Sequence, residues 1–155
     1  MAGTFEKMGE LNNKVAIITG AASGIGKAIA YAFLQEGSKV IVADQSKERL
    51  TKMAKTELAS FGGSAMTCVT DITKEDEVEH MISQALNEFG RIDILVNNAG
   101  IGYFGAIEES EEAEVRRMFE INVFGLAHMT QAVLPFMRKQ RSGHILNIAS
   151  IGGLR

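Results

Sequence analysis

The chain has 155 residues, of which 46% are hydrophobic and only one is cysteine. The formal net charge is −3, from 16 basic and 19 acidic side chains without long like-charge blocks, which argues against nucleic acid or an anionic membrane as a partner. An intrachain disulfide is excluded, and no apolar run approaches the length of a membrane span. We therefore expect one cytoplasmic domain over residues 1–155.

The first predicted elements are a strand, a glycine turn and a helix. Residues 15–18 form an unbroken apolar run, which is typical of a strand buried on both faces. Gly20, Gly24 and Gly26 follow, and a helical pattern extends over residues 25–36. Glycines permit positive φ and leave main-chain N–H groups open to an anion at the helix N-terminus. The pattern predicts a phosphate cradle, and a tight turn that binds nothing is the alternative.

An acidic residue follows the second predicted strand, Val40–Ala43. Asp44 comes 18 positions after Gly26, a spacing typical of dinucleotide-binding folds. Its carboxylate could accept hydrogen bonds from both ribose hydroxyls, and its charge would repel a 2′-phosphate. The residue therefore favours NAD over NADP, while a solvated loop acid is the alternative.

The third strand is predicted over Ala65–Val69, after a helix that Ser46 caps and that extends to about residue 60. Asp71 follows this strand, and its carboxylate could bond an adenine amino group or stabilise a turn. Thr73 and Asp76 resemble a capping box for the third helix. Both interpretations of Asp71 stay open.

The second half of the chain contains one long predicted helix between two strands. Ile92–Val96 is the fourth strand, and Ser110 begins a helix over about residues 111–139. This helix is apolar on more than one side, which predicts burial against the sheet and against a second surface such as a partner subunit in a homo-oligomer. Pro135 would kink the helix or end its regular hydrogen bonding. His144–Ala149 is the fifth strand.

Strands and helices alternate without a linker or repeat, which predicts an α/β fold of the Rossmann type. Its sheet would be parallel and doubly wound, with five strands and helices on both faces. Ligand-binding groups then lie beyond the carboxyl ends of the strands. Cys68 is expected to be a small buried residue, and His80, His128 and His144 show no metal-ligand spacing.

Three motifs occur in order along nearly the whole chain. They are Thr-Gly-Ala-Ala-Ser-Gly-Ile-Gly at residues 19–26, Asn-Asn-Ala-Gly at residues 97–100 and Asn-Ile-Ala-Ser at residues 147–150. Together they resemble the short-chain dehydrogenase/reductase superfamily. The resemblance implies hydride transfer between NAD and a small-molecule alcohol or carbonyl.

The resemblance also implies roles for individual residues. Ser150 would donate a hydrogen bond to the substrate oxygen, and Asn122 would be the mid-helix catalytic asparagine that holds a water in a proton relay, although a structural bond to neighbouring backbone is the alternative for Asn122. The implied cofactor-binding residues are Gly20, Ser23, Gly24, Ile25, Gly26, Asp44, Asp71, Ile72, Asn97, Ala99 and Gly100.

One part of the family pattern has no match in the sequence. The Tyr-x-x-x-Lys motif supplies the general acid/base, but Tyr31 is followed four positions later by Gln35 and Tyr103 by Ile107. Two hypotheses follow. The chain is the N-terminal part of an NAD-dependent oxidoreductase, or it is a catalytically incomplete module that binds a dinucleotide or a partner.

Overall fold

A computed structural model of the protein describes residues 9–150. Its five parallel strands form one sheet in the order β3-β2-β1-β4-β5. The strands are β1 Val15–Thr19, β2 Lys39–Asp44, β3 Ala65–Val69, β4 Ile94–Asn97 and β5 His144–Asn147. The predicted doubly wound parallel sheet is confirmed.

Helices connect the strands on both sides of the sheet. The α-helices are α1 Gly24–Gln35, α2 Lys47–Thr56, α3 Glu75–Phe89, α4 Glu112–Phe119 and α5 Leu126–Gln140. A π-helical turn, Glu120–Gly125, joins α4 to α5, so that the three form one long helix. Short 3-10 turns cover Ala59–Ser64 and Ile107–Glu109.

Alternate residues of β1 belong to two separate apolar cores. Val15 and Ile17 pack in the core that includes α3 and α5, whereas Ala16 and Ile18 pack in the core that includes α1 and α2. All four side chains are at most 1% exposed. A strand covered on both faces must be apolar at every position, which accounts for the unbroken run in the sequence.

Two predicted helix ends, the start of α3 and the end of α2, differ from the structure. The predicted capping box at Thr73 and Asp76 is wrong, since Lys74 precedes the first residue of α3 and the Thr73 hydroxyl donates to Asp71 Oδ1 at 2.7 Å. Ser46 does cap α2, through a bond from Arg49 N to its Oγ at 3.3 Å. This helix ends at Thr56 rather than near residue 60.

The long helix is buried on only one side within residues 9–150. Met129, Val133 and Met137 of α5 pack on the sheet, with exposures of 6% or less. Phe119 and Phe124 are each 49% exposed, so the second covering surface that we predicted is not among the described residues. Pro135 lies inside α5, and the helix continues to Gln140.

Cys68 is buried as predicted, at 5% exposure, and burial raises the pKa of its thiol. None of the helices in the described part of the chain combines the length and apolarity needed to cross a membrane. Within the same residues, no group of three or more His, Cys, Asp or Glu side chains could hold a metal ion.

Candidate functional site

The glycine turn between β1 and α1 depends on three glycines for different reasons. Gly20 has φ +62°, and a Cβ there would lie 2.9 Å from Ala99 Cα. A Cβ at Gly26 would lie 2.5 Å from the carbonyl oxygen of Gly20. Gly24 has φ +55°, but a Cβ there would meet nothing within 4 Å. Gly20 and Gly26 therefore permit close packing, while Gly24 faces open space.

At the N-terminus of α1, no capping side chain and no acidic residue offsets the partial positive charge of the helix dipole. Ser23 occupies the N-cap position without a side-chain capping bond, and the first turn contains no acidic residue. Ser23, Gly24 and Ile25 are exposed. Free N–H groups and the helix dipole together favour an anion at this position.

Asp44, at the end of β2, holds the glycine turn and the start of α2 together. Its Oδ2 accepts from the backbone N–H of Ala22 at 3.1 Å, and its Oδ1 accepts from that of Ser46 at 2.9 Å. The residue is 9% exposed. A carboxylate has about four acceptor positions, so these two bonds leave acceptor capacity toward the cleft.

Thr19 and Asn98 join the glycine turn to the end of β4. The Thr19 hydroxyl accepts from the N–H groups of Asn98 and Ala99 at 3.1 and 3.0 Å. The Asn98 amide nitrogen donates to the carbonyl oxygens of Thr19 and Gly20 at 2.9 and 3.2 Å. Neither residue was assigned a role from the sequence, although both belong to the motifs that carry the resemblance.

Asp71 and Ile72 form the opposite wall. Asp71 Oδ1 accepts from the backbone N–H of Thr73 at 3.0 Å as well as from its hydroxyl, which is the turn geometry that the sequence left open. Ile72 is 7% exposed and lies against the π-helical turn, where a Cβ on Gly125 would come within 2.7 Å of Ile72 Cγ1. Gly125 thus permits the close approach of the long helix.

Asn97 is buried behind the cleft. Its Nδ2 donates to Asn147 Oδ1 at 2.9 Å and to the Thr130 hydroxyl at 3.3 Å, which links β4 to β5 and α5. Its buried Oδ1 has no hydrogen-bond partner within residues 9–150. The role of Asn97 as a cofactor contact stays a prediction.

Asn122 lies in the π-helical turn and binds the backbone of Ile101. The N–H of Ile101 donates to Asn122 Oδ1 at 2.9 Å, and Asn122 Nδ2 donates to the carbonyl of Ile101 at 2.8 Å. This bidentate contact is the structural alternative considered for Asn122. π-Helical turns often occur at functional sites, and the proposed water-holding role stays a prediction.

The carboxyl edge of the sheet contains a cleft of about 450 Å³. This volume is in the range typical of small-molecule sites, roughly 300–1,000 Å³. Nine of the residues predicted from the sequence line it, namely Gly20, Ser23, Gly24, Ile25, Asp44, Asp71, Ile72, Ala99 and Gly100.

Four predicted site residues do not line the cleft. Gly26 and Asn97 are buried beneath it, and Asn122 bonds the backbone of Ile101, which does line it. Ser150 is exposed beyond the end of β5 and outside the lining. Its contact with a substrate stays a prediction.

The residues present fit a dinucleotide. The open space at Gly24, the exposed N-terminus of α1 and a carboxylate at the end of β2 match a pyrophosphate and a ribose in chemistry and in order along one cleft. Together with the doubly wound parallel sheet, they define a Rossmann-type dinucleotide-binding fold.

Comparison with known proteins gives the family. Residues 14–155 match the family model described as short chain dehydrogenase, and the chain belongs to this family. It is 40% identical over 144 residues to the 3-oxoacyl-(acyl-carrier-protein) reductase FabG of Thermotoga maritima, covering 93% of this chain and 58% of that protein. The chain thus spans less than two thirds of the length of this relative.

Two solved structures with bound cofactor are similar to this fold. One is 3-ketoacyl-(acyl-carrier-protein) reductase from Brucella melitensis complexed with NADH, with a TM-score of 0.84 and 39% identity over 92% of this chain and 59% of that chain. The other is NAD+-bound xylitol dehydrogenase, with a TM-score of 0.88 and 35% identity over 94% of this chain and 56% of that chain.

Proposed function

We propose that the chain forms the cofactor-binding part of an NAD-dependent oxidoreductase that interconverts an alcohol and a carbonyl. The observation that carries the proposal is the open cleft at Gly24, with the carboxylate of Asp44 at the end of the neighbouring strand. The similar proteins solved with NADH and NAD+ support the same cofactor class.

Each wall of the cleft would hold a different part of the dinucleotide. The backbone around Gly24 and the N-terminus of α1 would hold the pyrophosphate, and Asp44 would accept from the adenosine ribose. Asp71 and Ile72 would flank the adenine. When bound, the nicotinamide supplies or accepts the hydride.

Ser150 would donate a hydrogen bond to the substrate oxygen, where negative charge develops during hydride transfer. Asn122 would contribute to a proton relay through a water molecule. The Tyr-x-x-x-Lys pair of the family has no match within these 155 residues, so no residue of the chain is assigned as the proton carrier.

The missing pair favours a second candidate function, dinucleotide binding without turnover. A phenol has an ordinary pKa near 10 and needs a neighbouring cation to exchange protons near neutrality. A chain without that pair would bind NADH but would not interconvert alcohols and carbonyls at a useful rate.

Binding and turnover measured on the same sample separate these functions. Binding of NADH can be measured by the increase in nicotinamide fluorescence. The chain contains no tryptophan, so the protein itself contributes little emission. Saturable NADH binding is expected, and its absence would contradict both functions. The intact mass of the sample shows whether the tested molecule is the 155-residue chain, which has a mass of 16.8 kDa, or a longer protein.

Replacing Asp44 tests the cofactor preference. Asp44→Ala removes the charge that opposes a 2′-phosphate and the acceptor for the ribose hydroxyls, so NADH affinity should fall by about tenfold while NADPH affinity rises. Asp76→Ala changes an exposed acid at the start of α3 and serves as the control. An unchanged ratio of NADH to NADPH affinity in Asp44→Ala would contradict the assignment.

A further inference from the structure

A groove of about 420 Å³ lies between α3 and α5. Residues of α3 between Glu75 and Ser83 form one wall, and residues of α5 between His128 and Phe136 form the other. On each helix the lining positions follow the spacing i, i+3, i+4, i+7 and i+8, which is one face of a helix over about two turns, or roughly 12 Å. No residue lines both this groove and the cleft at the carboxyl edge of the sheet. The groove is therefore separate from the proposed cofactor site.

The floor of the groove is apolar. Val78 and Ile82 of α3 are 1% and 4% exposed and belong to the core beneath the two helices. Ala132 and Phe136 of α5 are half-buried against the same core. A floor of this kind favours a hydrocarbon chain or an aromatic ring, because binding there removes apolar surface from water.

The α3 wall is negatively charged at one end of the groove. Glu75 and Glu79 lie one turn apart and are both exposed. Within residues 9–150 neither carboxylate forms an ion pair or a side-chain hydrogen bond, and the lining of the groove contains no lysine or arginine. The charge of this wall is therefore complementary to a cation that is not part of the described chain.

The α5 wall has polar groups without partners. Pro135 has no N–H to donate to the carbonyl oxygen of Gln131, so this carbonyl lacks its usual bond within the helix. The Nδ1 atom of His128 is buried and has no hydrogen-bond partner among the described residues. Unpaired polar groups beside an apolar groove favour a ligand that can donate hydrogen bonds.

We propose that this groove binds a small amphiphilic amine. Its ring or hydrocarbon chain lies on the apolar floor, and its ammonium group lies at the wall that carries Glu75 and Glu79. A neutral ligand of the same shape would fill the floor without using these charges, and an anion would be repelled by them. Because the groove and the cleft share no lining residue, amine binding is independent of the proposed function.

Three probes with the same phenylbutyl body separate the effect of charge from that of apolar contact. They are 4-phenylbutylamine, 4-phenylbutan-1-ol and 4-phenylbutyrate, and calorimetric titration of the 155-residue chain measures the affinity of each. The amine should bind about fivefold more tightly than the alcohol, which is the upper end of the range for exposed charges. The butyrate should bind most weakly, and NADH should not displace the amine.

The double variant Glu75→Gln/Glu79→Gln removes both charges and keeps the approximate shape of the side chains. It should lower the affinity for the amine about fivefold and leave that for the alcohol unchanged. Asp76→Asn/Glu88→Gln is the matched control, because it removes two charges from exposed positions of α3 outside the groove lining, one of them also in the first turn. Equal amine affinities in the two double variants would overturn the proposal, as would a wild-type chain that does not prefer the amine to the alcohol.

Amide chemical shifts locate the amine on the wild-type chain, so this result does not depend on whether the variants fold. The amide signals of Val78, Ile82 and Ala132 should move on addition of the amine, and that of Gly24 should not. The largest changes at the glycine turn would overturn the proposal. Loss of amine binding as the chain concentration rises would also overturn it, because a second copy would then cover the groove. Saturable NADH binding in the same sample would show that the proposed function still holds.

Discussion

At the scale of single residues, the three glycines of the first turn differ in what they contribute. Gly20 and Gly26 lie against backbone atoms, so a side chain at either position would displace the turn itself. Gly24 also has a positive φ, but no atom lies within 4 Å of the position that a Cβ would take there. Substitution at Gly24 can therefore separate ligand binding from folding.

Gly24→Ala is expected to cost about 1 kcal/mol of stability, the strain of a left-handed alanine, and to lower NADH affinity by at least about tenfold. The added methyl group would project into the space proposed for the pyrophosphate. Thermal unfolding and nicotinamide fluorescence measure the two effects.

Gly90→Ala provides the comparison, because Gly90 has φ +75° and open surroundings at the end of α3, away from the cleft lining. It should lose similar stability and keep its affinity for NADH. Equal affinities in the two variants would show that the Gly24 position does not contact the cofactor.

At the scale of elements, the π-helical turn is tied to the loop after β4 by one side chain. Both amide atoms of Asn122 bond the backbone of Ile101, which lines the cleft. The long helix therefore positions part of the cleft wall as well as covering the sheet.

Asn122→Leu keeps the approximate size of the side chain and removes both bonds. We expect a loss of about 2 kcal/mol, since two backbone groups of Ile101 lose their partner. Hydrogen exchange should show faster exchange of the Ile101 amide. Asn87→Leu, at an exposed site on α3, should leave that amide protected, and equal protection in both variants would contradict the proposed tie.

A second contact between elements joins α1 to the end of α2. The Tyr31 hydroxyl donates to Glu57 Oε2 at 2.9 Å, and Lys27 forms an ion pair with the same carboxylate oxygen. Burial of the phenol, with the bond to Glu57, raises the pKa of Tyr31 to about 12. Lys27 and Tyr31 together hold the pKa of Glu57 below its usual range.

These shifts predict a pH dependence with a definite sign. The folded protein holds the phenol proton more tightly than the unfolded chain, whose tyrosine pKa is about 10, so this contribution to stability is complete below that pH and is lost as pH rises toward 12. Phenolate absorbance should show one tyrosine titrating at about 12. Tyr31→Phe should remove this step and Tyr103→Phe should retain it; the reverse result would contradict the assignment.

At the scale of the whole molecule, apolar side chains are exposed along the long helix and at the β5 edge, among other places in the described residues. Phe119, Val123 and Phe124 of the long helix are between 47% and 49% exposed, and Leu146 and Ile148 at the β5 edge are 43% and 41% exposed. Exposed apolar patches favour association. We propose that the long helix contributes to a homo-oligomer interface.

Sedimentation velocity at increasing concentration tests this proposal. The 155-residue chain should associate, and Phe124→Glu should weaken association by placing a charge in the apolar patch. Gln131→Glu adds the same charge at an exposed polar position of α5 and should not. A chain that stays monomeric throughout, or equal behaviour of the two variants, would exclude the helix as an interface.

The sequence predicted the sheet well because buried parallel strands impose unbroken apolar runs, as residues 15–18 show. It predicted most of the cleft lining because strand ends converge at one edge of such a sheet. Thr19 and Asn98 were not assigned to the site, since their contacts depend on how the loop after β4 approaches the first turn. Helix ends were less predictable because Thr73 bonds Asp71 instead of capping α3.

The hydrogen bonds between Thr19 and the residues after β4 have a consequence for the order of assembly during synthesis. They join positions 79 and 80 residues apart, although the glycine turn itself is complete by residue 26. These bonds can therefore form only after β4 has left the ribosome and paired with β1, because such long-range contacts require closure of a large loop. A nascent chain that ends before Asn98 would hold the glycine turn through Asp44 but would lack the bonds to the residues after β4.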